Sequence, residues 1–503
     1  MLRQEPLLLG SILLGILFNI LFYGKTVGIS YPIFVIGVIL LLIYMMKLAN
    51  VLKKSYYWLI TVPIILLSFK TFLSDNYFFQ FFNGKIVIIL FVSMSLLLVG
   101  KEIYKIDSFS FLFKIFKALL FPLRYFSKPY SFVYDKIKIE KKTGMNSQTK
   151  KILIGLLISL PILAVITGLL SSADMVFNEM IRYFPSKFTT FLEDMNLTNY
   201  IGQMVLVLLI STYTYAYGWN LFMPLVDRKA SPNVPNLNTM EGHEGSSKSK
   251  RTIDGTILIT IILMINLVYL VFCTIQFSYL FNGGFNTLPG NFTYAEYARQ
   301  GFFQLLLVTL LNFIIILFSL HFIEANNNTF KWVQRLLILM GIFTYIMIYS
   351  SFYRMGLYSD NYGYTYLRIF VYFFLFLEVP LLGITLTYIQ KPSFNLIRIY
   401  IITGLIFYIG LNYINVDEMI ARNNVDRYFE TGKIDMRYLM GLSADAVPEL
   451  TRLLNAKDIS IIEPIKNHLQ HRASILNVDK PSWQEFNYSR HKAGQILNNV
   501  SYH

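Results

Sequence analysis

Acids, arginines and tyrosines gather at the ends of apolar segments, where polar side chains can meet water and do chemistry. The groups are Ser171-Ser172-Ala173-Asp174, Glu296 with Arg299, Arg354 with Tyr358, and Tyr362-Gly363-Tyr364-Thr365 leading to Arg368. Separations of three and four residues put Glu296 and Arg299, or Arg354 and Tyr358, on one helical face. Guanidinium groups beside aromatic rings suit a phosphate, a carboxylate or a sugar. In such a site Asp174 or Glu296 would serve as a base, since a carboxylate needs only proximity and a raised pKa. The competing reading is a closed ion-pair network, with Arg299 on Glu296 and Arg354 or Arg368 on Asp174, among tyrosines of the kind usual at membrane boundaries.

A second set lies inside apolar windows. Glu378 falls near the middle of one, two residues before Pro380, and Asn312 and Asn266 sit near the middle of two others. An ionised carboxylate at mid-membrane costs about 2.5–3.5 kcal/mol on insertion scales, so Glu378 must be protonated, paired or facing water. If their helices are neighbours, the three form one polar layer. It reads as a proton or solute pathway, or as a neutral Glu378 bonded to an Asn or to the carbonyl that Pro380 frees.

The elements that must position these residues follow from composition. Of 503 residues, 55% are hydrophobic and 15% charged, against about 45–50% and 25% in a soluble domain. Disorder is excluded and a soluble enzyme disfavoured. Windows of about 20 apolar residues, the length a hydrocarbon core of roughly 30 Å requires, predict eleven spans: 6–23, 29–46, 57–74, 84–100, 152–171, 201–222, 255–279, 302–322, 336–353, 367–389 and 399–415. The expected fold class is all-α, a polytopic transmembrane bundle carrying a small helical extracytoplasmic C-terminal domain. The expected organisation is four spans in 1–100, a basic segment at 101–151, a seven-span core at 152–415 with a flexible linker at 228–252, and the terminal domain at 416–503.

Net charge is +15, and its placement decides its meaning. The N-terminus and the loops after even-numbered spans hold 25 Lys and Arg. The loops after odd spans and their immediate edges, the C-terminal tail excluded, hold about seven: Lys25, Lys85, Arg182, Lys187, Arg299, Arg354 and Arg368. Positive residues mark the cytoplasmic side, so the N-terminus is expected in the cytoplasm and the tail outside. The excess charge then implies no nucleic acid. Segment 101–151 mixes Phe, Leu and Ile with Lys, as an amphipathic helix lying in the headgroup plane does, and its expected partner is anionic inner-leaflet lipid. Cys273 is the one cysteine, which excludes an intramolecular disulfide, and no Cys/His spacing implies a metal. No nucleophile elbow, zinc motif, phosphate-binding loop or dinucleotide fingerprint occurs, and no cofactor is implied.

The tail has ordinary soluble composition, with helical periodicity at Val447–Leu454, capped by Ser443 or Asp445, and at Ile461–Ile475. Its run Asn424-Val-Asp-Arg427-Tyr428 through Lys433 and Asp435 to Pro448, taken with Ser171–Asp174, Tyr297–Gln304, Arg354/Tyr358 and Tyr362–Arg368, resembles an uncharacterised bacterial multi-pass membrane family, domain of unknown function 4153/4173. The resemblance covers about residues 150–460, leaves the first four spans apart, and implies a bacterial plasma-membrane protein with no set chemistry. All its segments fall on the outer side in the charge-based topology. One extracytoplasmic site is therefore expected, with Arg427, Tyr428, Lys433 and Asp435 of the tail closing over the span ends. The favoured expectation is binding or transport of an anionic small-molecule or lipid-linked envelope ligand, with Glu378 coupling movement to protons. The alternatives are a transferase or hydrolase on a lipid-linked substrate, or a membrane scaffold or signalling protein in which the arginines are paired internally.

Overall fold

The computed structural model describes residues 4–52, 54–99, 109–140, 197–230, 254–281, 294–323, 328–478 and 481–500, with Ser159, Leu163 and Ile166 alone between 140 and 197. Among them the regular elements are helices. The long ones are α1 (Gln4–Phe22), α2 (Ser30–Leu48), α3 (Thr61–Leu73, entered by a 3-10 turn at Tyr56–Ile60), α4 (Tyr77–Leu98), α5 (Phe109–Leu120), α6 (Lys128–Glu140), α7 (Leu197–Ala230), α8 (Gly255–Phe281), α9 (Tyr294–Phe322), α10 (Asn328–Tyr362), α11 (Tyr366–Gln390) and α12 (Leu396–Tyr413). The tail adds α13 (Val416–Thr431), α14 (Met436–Met440), α15 (Val447–Leu450), α16 (Ile459–Val478) and α17 (Tyr488–Asn499).

Ten helices among the described residues are long and apolar enough to cross a membrane. They coincide with ten of the expected spans, and the eleventh, 152–171, lies outside the described residues. The fourth begins at Tyr77 rather than 84, because the aromatic run Tyr77-Phe-Phe-Gln-Phe-Phe continues the helix across Asn83 and Gly84.

The chain divides into two compact units. The first comprises Met1–Ser68, Lys85–Val234 and Pro481–Phe486. Leu7, Leu14 and Leu21 form a buried stripe on α1, and α1 packs along α7. At Gly15 a Cβ would stand 2.7 Å from the Val207 carbonyl oxygen, so only glycine admits this backbone approach. The basic segment folds in part as α5, which buries Phe111, Ile115 and Ala118 and exposes Phe113 and Phe116. Tyr213 Oη donates to the Leu119 carbonyl beside it.

In the same unit Glu485 accepts from the Thr26 amide at 2.8 Å and closes a capping box with Ser482. These donors, the Thr26 amide first, hold its carboxyl down at about 2 against an ordinary 4.5. A depressed acid stabilises the fold above its unfolded pKa and loses that contribution as pH falls through the folded value. Hydrogen-exchange protection of the Thr26 amide is therefore expected to decay as pH drops from about 4.5 to about 2, and Glu485→Gln to remove the dependence.

The second unit comprises Phe69–Gly84, Pro235–Lys480 and Asn487–His503. Helix α10 packs against α8, α9 and α11. On α11 the buried positions are Val371, Leu375, Glu378, Leu382, Thr385 and Ile389, a three-four alternation that makes one face of a helix. The apolar ones, Val371, Leu375, Leu382 and Ile389, meet Leu258, Ile262, Ile316, Leu337 and Met340 in one core. A second core joins the tail to span ends: Ile420, Val425, Leu439, Val447, Leu450, Leu453, Ile465 and Leu469 pack with Phe79, Ile369 and Leu411. The periodicity at Val447–Leu454 is broken into a 3-10 turn, α15 and a second 3-10 turn, while α16 runs from Ile459 to Val478.

Candidate functional site

In the second unit, three connections meet the tail at one end of the helices: 74–76, 363–365 and 414–415. The sequence explains why. Each is polar and too short to fold alone, and each offers backbone groups that need partners.

The densest meeting point surrounds two buried acids. Asp417, in the first turn of α13, is 1% exposed. It accepts from Asn76 Nδ2 at 3.0 Å, from the Ser443 amide at 3.3 Å and from the Tyr366 hydroxyl. Asp445, 8% exposed, accepts from Ser74 Oγ at 2.5 Å, from the Asp75 amide at 3.2 Å and from Ser443 Oγ at 3.2 Å. Burial, opposed by Ser443 and Asn76, raises the Asp417 pKa above the usual 3.8, and burial does the same to Asp75 against the pull of Arg490. Arg490 Nε meets Asp75 at 2.6 Å, and Asn487 Nδ2 donates to the Ser74 carbonyl at 3.0 Å. Lys70, at the end of α3, is 4% exposed and donates to Asn415 Oδ1 at 2.6 Å. One turn deeper, Asn83 Nδ2 donates to Asn412 Oδ1 at 2.8 Å. A cleft with about 300 Å³ of open space adjoins this cluster, lined by Asn415, Glu418, Asp445, Tyr488, Ser489 and Lys492 among others.

The expected arginine site is partly assembled beside it. Arg368 donates to the Gly363 carbonyl and lies over the rings of Tyr358 and Tyr362, 4.3 and 6.0 Å from their centroids. Arg427 reaches back from α13 to the carbonyls of Asp360 at 2.8 Å and Asn361 at 2.5 Å, and to that of Lys433 at 3.2 Å. Tyr428 packs against the tail core, and Asp435 caps α14 through the Tyr438 amide at 3.1 Å. Arg354, 7% exposed, donates to Gln276 Oε1 at 3.2 Å between α10 and α8. The predicted pairing of Arg354 or Arg368 with Asp174 lies outside the described residues, as do Asp174 and the side chains of Glu296 and Arg299.

Inside the bundle the three predicted polar residues occur on neighbouring helices. Tyr269 donates to Asn312 Oδ1 at 2.5 Å, Asn312 Nδ2 to Thr344 Oγ1 at 2.9 Å, and Thr344 to the Met340 carbonyl at 2.8 Å. Asn266 Nδ2 donates to the Leu336 carbonyl at 2.9 Å. Glu378 is 2% exposed, and its partner is Thr309 at 3.1 Å, not an asparagine. The asparagines are taken by nearer groups.

Sequence reasoning missed Ser74, Asn76, Asn83, Asn412, Asn415 and Asp417 as members of a site. The available signal was polar residues set within or at the edge of apolar windows on α3, α4 and α12, which periodicity alone cannot pair.

Among the described residues the regular elements are all helices and ten are long and apolar enough to cross a membrane, the architecture of a multi-pass membrane protein. The model for the domain of unknown function DUF4153 matches residues 61–453, and the chain belongs to that family. No curated protein and no solved structure matches it. The match starts well before 150, where the motif resemblance begins, so α3 and α4 are part of the family region. The structure gives a physical reason: residues 70–83 supply Lys70, Ser74, Asp75, Asn76 and Asn83 to the same polar cluster.

Proposed function

We propose that the protein is a membrane scaffold that holds its helical tail fixed against the ends of its spans. The observation that carries this reading is how the described polar side chains are used. Arg354, Arg368 and Arg427 are engaged by carbonyl or amide oxygens of the same chain, and the buried acids Asp417 and Asp445 are engaged by the 74–76 connection. These bonds turn each guanidinium toward an acceptor of the chain itself and fix its direction, which favours a structural role for the arginines at this cluster. The transferase or hydrolase reading has no such support.

The charge bias of the loops supports an extracytoplasmic position for the assembled end, in a bacterial plasma membrane. The exposed Phe113 and Phe116, interleaved with Lys114 and Lys117, support anionic inner-leaflet lipid as the partner of α5. A reporter fused after His503 should be active outside the cell and silent in the cytoplasm.

The test is a melting series on the purified full chain in the presence of phosphosugars and anionic envelope lipids, run beside limited proteolysis. A scaffold melts at an unchanged temperature with the soluble ligands, and Ser74→Ala with Asn76→Ala exposes the tail to cleavage near Ile414. A rise in melting temperature with a phosphosugar that disappears in Arg368→Lys would overturn the reading in favour of a ligand site.

A further inference from the structure

Among the described buried acids of the second unit, Glu378 is the one that lies deep within a span, far from the tail cluster. It occupies a core position of α11 between Leu375 and Leu382. One carboxyl oxygen, Oε1, is 3.1 Å from Thr309 Oγ1 on α9, and the other, Oε2, is buried with no hydrogen-bond partner.

Proton counting at Thr309 decides what this contact is. Its Oγ1 also lies 2.8 Å from the Leu306 carbonyl of its own helix. A carbonyl can only accept, and a hydroxyl has one proton. The shorter bond to Leu306 uses that proton, which leaves Thr309 as an acceptor toward Glu378. The contact then needs a proton on the carboxyl. Among the described residues, the titratable groups on the neighbouring helices are engaged elsewhere. From α8, Tyr269 is committed to Asn312. From α10, Tyr345 donates to the Val379 carbonyl and Arg354 to Gln276. From α12, Tyr400 shares its hydroxyl with Thr385, and Tyr408 donates to Asn83. From α13, Asp417 is held by Asn76 and Tyr366 at the far end of α11.

We propose that Glu378 is a proton-binding site of the bundle, held as the neutral acid while α11 rests against α9 and Thr309. Ionised in the same packing, it would leave Oε2 without a donor in a setting that excludes water, which the membrane interior penalises heavily. Release of the proton therefore requires α11 to move relative to α9. Pro380, two residues on, supplies the place: without its N–H the ladder lacks the bond to the Phe376 carbonyl, and such positions are where helices bend. The scaffold thus carries a protonation-coupled element whose two states differ by one proton and one helix contact.

The test uses dicyclohexylcarbodiimide, an apolar reagent that consumes a protonated carboxyl. The acid O–H adds across one C=N bond, its oxygen joining the central carbon and its proton a nitrogen. The acyl group then migrates from that oxygen to the other, unprotonated nitrogen, leaving a urea carbonyl and a stable N-acylurea, with nothing lost and nothing oxidised. In the intact purified protein, one adduct on the Glu378 peptide is expected at pH about 6, falling several-fold toward pH about 9, where documented buried glutamates titrate. Glu378→Gln removes it, and a water-soluble carbodiimide does not produce it. Thr309→Val is the second arm. If Glu378 donates to Thr309, losing the acceptor disfavours the neutral acid and moves the midpoint down by about one pH unit, a tenfold change in reactivity at a fixed pH on the slope. If Thr309 instead donates to a carboxylate, the midpoint moves up. An unlabelled Glu378 peptide, equal labelling by both reagents, or a midpoint that stays or rises in Thr309→Val would each overturn the proposal. None of these outcomes bears on whether the tail is clamped.

Discussion

Asp417→Ala is expected to destabilise the protein by about 3–5 kcal/mol, the cost of stripping one side from a buried charged network. Three donors converge on this carboxylate from three separated stretches of chain: Asn76 beside α4, Tyr366 at the start of α11 and the Ser443 amide before α15. Alanine takes this acceptor from the Tyr366 hydroxyl and the Ser443 amide and leaves Asn76 Nδ2 only its bond to Tyr366 Oη, and each buried orphan costs about 1–3 kcal/mol unless water enters. Asp417→Asn keeps one oxygen to accept and should cost much less. The pH dependence separates the two. Burial raises the Asp417 pKa above 3.8, so stability is greatest below the unfolded value, falls as pH rises above it, and carries the full penalty once pH has passed the folded value. Moving from neutral pH to about 4 therefore removes a penalty that asparagine never had, and the wild type should gain on Asp417→Asn. Thermal unfolding of the three proteins in one detergent at both pH values checks this. An alanine variant that melts with the wild type would mean that the acid is not the fastening point.

The same cluster shows what composition and periodicity can and cannot deliver. Apolar windows near the membrane thickness, with their charged loops, are enough to locate spans, because hydrocarbon admits few backbone solutions. They marked ten helices that the structure contains among its described residues. They also put the connections 74–76, 363–365 and 414–415 on one side, and in the second unit the tail meets all three. Which polar residue meets which is another matter. Asp417 looks like an N-terminal acid on a tail helix, and Asn76 like part of a turn; their pairing across 341 residues has no local signature. Arg368 and Arg354 were legible as buried-edge cations, but their acceptors, a loop carbonyl and a glutamine, are types that abound elsewhere in the chain. Glu378 was legible because a carboxyl amid apolar residues is costly by itself, whereas Thr309 is an ordinary span residue. The family match from residue 61 carries the same lesson. Motifs rich in charge drew attention to the later spans, while residues 70–83 contribute single polar side chains, Lys70, Ser74, Asp75, Asn76 and Asn83, that form no motif.

Gly363→Ala is expected to cost about 2–4 kcal/mol, and its cause can be isolated. Gly363 has φ of 82°, a left-handed conformation that costs a residue with a Cβ about 1–2 kcal/mol. A Cβ there would also stand 2.3 Å from Asn424 Oδ1, closer than any real contact. Asn424 cannot simply yield. Its Oδ1 accepts from the Tyr364 amide at 2.9 Å and its Nδ2 donates to the Tyr364 carbonyl at 2.8 Å, so one side chain satisfies both backbone groups of the turn. Displacing it sacrifices two bonds worth about 1 kcal/mol each. The turn also carries Arg368 on the Gly363 carbonyl and, through residues 360 and 361, the grip of Arg427. Backbone strain and collision are separable by a double-mutant cycle with Asn424→Ala. If the collision contributes, the double variant is destabilised by less than the sum of the single ones, because the second change removes the atom the new methyl strikes. The residue left over is the strain of a positive φ, which Gly363→Asn, a side chain better tolerated there, should lower in the Asn424→Ala background. Strict additivity in thermal unfolding, with unchanged hydrogen exchange at the Tyr364 amide, would show that the turn relaxes without engaging Asn424 and that the tail is fastened elsewhere.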